Sequence, residues 1–407
     1  SFGPDTSRPL PGQAMPTQEE VNASVDQVGW DNAQVLSTGA LEIDLAFKFL
    51  ETQGEEGHAM AKHLMEIASK GLIRAGPFAG FLAATYQGGI VLTTLHPLHN
   101  NPIERAASLV HEVGTLFNKN HPENTARELA FKKSLSGRAT KDAYVAEITS
   151  LAARGIITDI PAESLRYQMT EEDISLYLAS IKEVLAEQNA AVVTPAILFE
   201  AAKRSLAGRT SSVKARVALQ PGTMNPLTYG HITASLASII DQHIDQAILA
   251  NGGTVPDKPY AASADIRNEM ANIATLDPGL PSWLQVTPIR AQTAEMFEAE
   301  LLLAGADESA RRFNMDMAAF IWLFMANPQV QWFYIVGADK VAEYGKKNEI
   351  NLLKHTLSPA GVKVLYFSRE EGADFSYDKH IQTYPWLDEL WKQGLFVPSG
   401  IPSFEDV

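Results

Sequence analysis

No cysteine occurs among the 407 residues of this chain. That excludes disulfides, thiolate nucleophiles and Cys-ligated zinc outright. It fits a cytoplasmic protein, and equally a secreted effector exported by a route that needs the chain unfolded. Positive charge is scarce: 33 Lys and Arg stand against 48 Asp and Glu, a formal net charge of −15. A surface of that sign repels phosphate backbones and anionic bilayers, so no general nucleic-acid binding is expected, while a local pocket for one nucleotide stays compatible. Long apolar runs are missing too. The greasiest stretch, residues 317–325, falls far short of the ~18–20 residues a membrane span needs, so none is expected. No stretch has the layout of a signal peptide, and the chain begins at Ser1 rather than Met. Gly-x-Ser-x-Gly, the Walker Gly-Lys-Ser/Thr loop and the Asp-rich calcium loop are all absent, and His111-Glu112 lacks the second His of a zinc-protease helix. The pairs His58/His63 and His96/His99 and the acids Asp44, Glu51, Glu55 and Glu56 read as solvated faces or loops, so no protein-held metal is expected.

What the chain does have is a hydrophobic content of 45% and enough length for two domains. Residues 1–35 are polar, carry four prolines up to Pro16, and read as a loosely ordered leader. From residue 36 to about 208 the apolar spacing is helical, with segments at 41–53, 57–71, 102–118, 141–154, 171–189 and 195–206. Thr170-Glu171-Glu172-Asp173 and Thr194-Pro195 are helix starts. This region reads as an α-helical domain whose chemistry the residues do not reveal. Gly, Ser and Thr interrupt the pattern at 206–212, and from 209 to 407 strands alternate with helices, which implies right-handed βαβ units and a parallel sheet.

The densest signal is Gly222-Thr223-Met224-Asn225-Pro226-Leu227-Thr228-Tyr229-Gly230-His231. Before it, residues 213–219 (VKARVAL) are strand-like; after it, residues 232–244 have helical apolar spacing. A strand edge, a Gly turn and a helix N-terminus together present N–H donors and a positive dipole end to an anion. A His at that helix start adds a donor for phosphate oxygens. Another run, residues 331–336 (QWFYIV), reads as a buried parallel strand ending in Gly337-Ala338-Asp339.

The Gly222–His231 segment resembles the signature Gly-(Thr/Ser)-Phe-(Asp/Asn)-Pro-x-(Thr/His)-x-Gly-His of the adenylyl- and cytidylyltransferases, with Met224 in place of Phe. The strand ending in Gly337-Ala338-Asp339 is similar to the hydrophobic-Gly-Ala-Asp motif of the nicotinate and nicotinamide mononucleotide adenylyltransferases. The resemblance covers the C-terminal half only. It implies that the α-helical N-terminal domain read from the spacing is followed by an α/β Rossmann-like parallel-sheet nucleotidylyltransferase domain. The reaction implied is attack of a mononucleotide or phosphate ester on the α-phosphorus of ATP, releasing pyrophosphate, with Mg²⁺ as the counter-ion of ATP. His231, Thr228 and Lys258 would be the catalytic groups. Gly222, Thr223, Met224, Asn225 and Gly230 would form the phosphate turn, Arg267 would meet pyrophosphate, and Gly337 and Asp339 would contact the nucleotide.

Residues 246–251 (QAILAN), 283–286 (WLQV) and 362–367 (VKVLYF) are the further strands, 291–325 an inserted helical stretch, and 385–396 the terminal helix. The Ser/Thr-rich segment ending in Arg or Lys that closes the family's ATP site has no clean copy here; Ser376 and Lys379 are the nearest material. Nicotinamide or nicotinate mononucleotide is the preferred acceptor, hence NAD synthesis. A phosphopantetheine adenylyltransferase-like enzyme and a degenerate nucleotide-binding module serving the helical domain stay open, as do a homo-oligomer and a protein partner for that domain.

Overall fold

The computed structural model describes residues 7–253, 258–276, 280, 283–300, 308–367 and 377–399. The chain forms two units, one of residues up to 150 and one of residues 151–399.

The first unit is mainly helical and also holds a small sheet that helical spacing did not announce. Its strands are β1 (Arg8–Pro9), β2 (Gln34–Val35), β3 (Ile73–Gly76), β4 (Phe81–Tyr86) and β5 (Gly89–Thr93), in the order β1-β4-β5-β3-β2. Strands β3 and β5 run parallel, and the other pairs are antiparallel. Gln87 and Gly88 turn β4 into β5 with φ of 48° and 78°, the two left-handed residues a tight hairpin needs. Both strands are buried throughout, so they show no polar alternation to distinguish them from buried helix. The stretch expected to be a loose leader is ordered from residue 7. Thr17 and Glu20 form a reciprocal cap that starts the helix Gln18–Val28. Val21 and Val25 then pack against Phe78, Phe81 and Val91. Two valines one turn apart suffice once the helix start is capped.

The second unit is built on one six-stranded sheet: β6 (Ala215–Gly222), β7 (Gln246–Asn251), β8 (Leu284–Thr287), β9 (Val330–Gly337), β10 (Lys363–Phe367) and β11 (Phe396–Pro398). All its pairs are parallel and the order is β11-β10-β9-β6-β7-β8. The chain winds outward from β6 to β8, crosses back, and winds outward again from β9. This is the doubly wound, Rossmann-like order, and its switch point lies between β6 and β9. The crossover contains the helices Ile289–Glu300 and Glu308–Ala326, so the stretch expected as an insertion is the connection that makes the switch.

Successive strand residues face opposite sides of the sheet. Val217, Leu219, Trp332, Tyr334, Val336 and Val364 share one core with Phe320 and Trp322 of the crossover helix. Full burial of a side chain such as Leu219 contributes about 1.5–3 kcal/mol. Tyr177, Ile181 and Leu198 belong to the same core. The helices Glu171–Glu187 and Pro195–Ser205 therefore sit within the second unit, and the division falls at residue 150 rather than near 208. The terminal segment also differs from expectation: the helix Pro385–Lys392 ends early, and Phe396–Pro398 adds the edge strand β11 beside β10.

Candidate functional site

Strands β6 and β9 pair from Ala215 with Val330 through Leu219 with Tyr334, and run on to end level with each other at Gly222 and Gly337. Both sequence motifs thus start at the carboxyl ends of the two strands that flank the switch point, where a crevice opens in this architecture. A helix follows each strand, Tyr229–Gln242 after β6 and Ala338–Lys346 after β9, with Thr228 and Gly337 as their N-caps. Their N-terminal amides and the positive ends of their dipoles lie at the same edge of the sheet.

The turn between β6 and its helix is held from several sides. Met224 takes a left-handed backbone, φ 48°, with its side chain buried, and the Asn225–Pro226 peptide is cis. The Gly222 carbonyl accepts from the Gly252 amide at 2.7 Å, and the Asn225 side chain accepts from the Ala262 amide at 3.2 Å. Lys258 donates to the Thr223 hydroxyl at 3.2 Å. A Cβ on Gly222 would sit 3.3 Å from the Met224 side chain, a tight contact, and 3.9 Å from Cδ2 of His231, an ordinary one, so the glycine makes room for Met224.

His231 is the third residue of its helix and turns back to the cap. Its Nδ1 accepts from the Thr228 amide at 3.2 Å and lies 2.8 Å from the Thr228 hydroxyl. An amide can only donate, so Nδ1 is the acceptor and the proton of the neutral ring sits on Nε2. The cap thereby sets both the tautomer and the ring orientation. Gly230 lies in the same first helical turn, and Asp339 is exposed in the first turn of the other helix.

Arg267 departs from its expected place at pyrophosphate. It is 1% exposed, and its guanidinium donates to the carbonyls of Ala262, Thr223 and Gly253 at 2.9, 2.7 and 2.6 Å. It braces the turn and the loop after β7 from below. Ser376 lies outside the described residues, as does the side chain of Lys379, whose backbone belongs to the short helix Tyr377–His380.

One residue of this neighbourhood was missed. Arg290, 6% exposed, donates to the carbonyls of Ala250 at 3.0 Å and Gly222 at 3.3 Å, and makes a two-pronged pair with Asp316 at 2.8 and 2.9 Å. Burial works to lower its pKa, and the Asp316 carboxylate outweighs that, so the group stays charged with a raised pKa. It ties the ends of β6 and β7 to the crossover helix. The available signal was its position, directly after strand β8 at the ligand edge of the sheet.

No family model matches the chain, and no curated protein matches it. Among solved structures, it is similar to Plasmodium falciparum nicotinic acid mononucleotide adenylyltransferase complexed with APC, at 10% identity over 47% of this chain and 76% of that one, with a TM-score of 0.29. It is also similar to the same enzyme complexed with NaAD, at 12% identity over 47% and 77%, with a TM-score of 0.27.

Proposed function

We propose that the second unit is an adenylyltransferase that joins ATP to nicotinamide or nicotinate mononucleotide, forming a dinucleotide and pyrophosphate. The observation that carries this reading is the meeting of the Gly222–His231 turn and the Gly337–Asp339 corner at the two strand ends of the switch point. The Nε2 proton of His231 would be held on phosphate oxygens as charge builds at the α-phosphorus. Lys258, beside the Thr223 hydroxyl, would offer its ammonium to the phosphates, and Mg²⁺ would arrive with ATP. The amides of Gly222 and Thr223 would donate to phosphate, and Gly337 would let the nucleotide approach main chain beside Asp339. Such chemistry asks the protein for in-line positioning and charge stabilisation rather than covalent work.

A competing reading, a nucleotide-binding module without turnover, is favoured by the burial of Arg267, which spends its donors on main chain. One experiment separates the two. Pyrophosphate release is measured with ATP, Mg²⁺ and, separately, nicotinamide mononucleotide, nicotinate mononucleotide and phosphopantetheine. The transferase reading expects release with a nicotinamide-type acceptor and a loss of about 10²-fold or more in His231→Ala at an unchanged melting temperature. Release with phosphopantetheine alone moves the acceptor. Unchanged turnover in His231→Ala removes the assignment, and silence with all acceptors alongside ATP binding selects the module without turnover.

A further inference from the structure

In the first unit, β1 lies antiparallel on the edge of β4, pairing Arg8 with Ala83 and Pro9 with Phe81. A two-residue strand offers few ladder bonds, each worth only about 0.5–1.5 kcal/mol. Its anchor is Arg8. The Arg8 amide donates to Glu112 at 2.9 Å. Its guanidinium reaches the Ser108 hydroxyl at 2.7 Å, the Glu104 carbonyl at 3.1 Å, and the carboxylates of Glu104 and Glu128 at 2.7 and 2.5 Å. Glu104, Ser108 and Glu112 stand four residues apart on one face of the helix Pro102–Leu116, and Glu128 comes from the helix His121–Ser134. Behind them, Lys132 neutralises part of the charge at 3.0 Å from Glu104, and His99 holds Ser108 at 2.8 Å.

The slot is built by the two helices, and a distant segment fills it. Glu104 is 2% exposed, so its carboxylate stands almost dry and needs a cation, whereas Glu112, 0% exposed, meets the Arg8 main chain. The other oxygen of Glu112 has no partner, so the slot offers an acceptor that the segment leaves unused. Residues 11–14, which lead away from the strand, are exposed.

We propose that this slot is a recognition site for an arginine-bearing extended peptide, which docks as an added strand on β4, and that residues 7–9 occupy it in cis. Strand addition supplies main-chain affinity and the side-chain slot supplies selectivity. The planar fork of arginine spans Glu104, Ser108 and Glu128 at once, which the single ammonium of lysine does not.

The test keeps the full chain. A protease site is inserted in the exposed stretch 11–14, the segment before it carries a fluorophore, and the chain is nicked. The labelled segment is expected to stay bound and to be displaced by the peptide DTSRPLP at a concentration about 10-fold or more below that needed of DTSAPLP or DTSKPLP. Equal displacement by the three peptides, immediate loss of the segment, or no displacement at all overturns the proposal. Full-length Arg8→Ala gives an independent check: a cooperatively folded variant should take up DTSRPLP and not DTSAPLP, and one that takes up neither also overturns it.

Discussion

Replacing Arg290 by Met tests whether the crossover helix holds the phosphate turn. Met keeps much of the side-chain volume and removes all the donors. The change breaks the two bonds to Asp316 at 2.8 and 2.9 Å, the 3.0 Å bond to the Ala250 carbonyl and the longer bond to Gly222. Removing one partner of a buried ion pair costs about 3–5 kcal/mol, because the other charge is left without compensation. The Asp316 side chain is 25% exposed, so water softens that penalty, and the lower end, about 3 kcal/mol, is expected. Asp316→Leu should cost at least as much, since it strands a guanidinium whose side chain is 7% exposed and which cannot shed its proton. The double variant should cost clearly less than the sum, with a coupling of about 2 kcal/mol. Urea denaturation followed by far-UV circular dichroism reads these values, and with an m-value of about 2–3 kcal/mol/M the midpoint of Arg290→Met falls by about 1 M. Because Arg290 also bonds the Gly222 carbonyl, the ATP binding proposed for this turn should weaken in the variant while it is still folded. A loss under about 1 kcal/mol, or additive single and double variants, would refute the argument that this pair ties β6 and β7 to the crossover helix.

Two further outcomes concern the first unit. A Cβ on Gly89 would overlap the Leu72 carbonyl, which the adjoining Ile90 amide uses as an acceptor. Gly89→Ala should therefore cost about 1–3 kcal/mol by forcing backbone apart, and an unchanged thermal midpoint would contradict it. The other outcome is a pH profile. Burial and Arg8 push His99 down to about 3 from 6.5, so its contribution to stability is lost as pH falls below 6.5. Burial pushes Glu112 up to about 7 from 4.5, so its contribution is present at acid pH and lost as pH rises through 7. Between pH 4.5 and 6.5 the two oppose each other. Glu112→Gln removes one side of the balance, and its stability relative to the parent should fall by roughly 1 kcal/mol per pH unit as pH drops from 7 to 4.5. Parallel profiles for the two proteins would contradict it.

The candidate site's local structure was legible where its parts are contiguous. The run from β6 through Thr228 to the helix Tyr229–Gln242 is one local strand–turn–helix unit, and β9 with Gly337–Asp339 is another, so period, turn residues and cap all speak within a few positions. Arg267 was found as a residue and misplaced as a group, because only packing decides whether a helical arginine faces ligand or carbonyl. Asp316 stands far along the chain from Arg290, and no spacing rule links them. The same holds for Arg8, whose partners lie about a hundred positions away and turned an expected leader into an ordered strand.

Composition and local pattern were enough to specify five of the six strands of the second unit, the parallel character of its sheet and the strand–turn–helix corner that carries His231. Periodicity and capping act over a few residues, and a linear chain records them directly. The strand order that brings Gly222 level with Gly337 was left to the folded chain. So were the burial of Arg267 and Arg290 beneath the turn, the assignment of residues 151–208 to the second unit and the filling of an acidic slot by Arg8. These depend on contacts between distant segments, whose energies exist only once loop closure has brought the partners together.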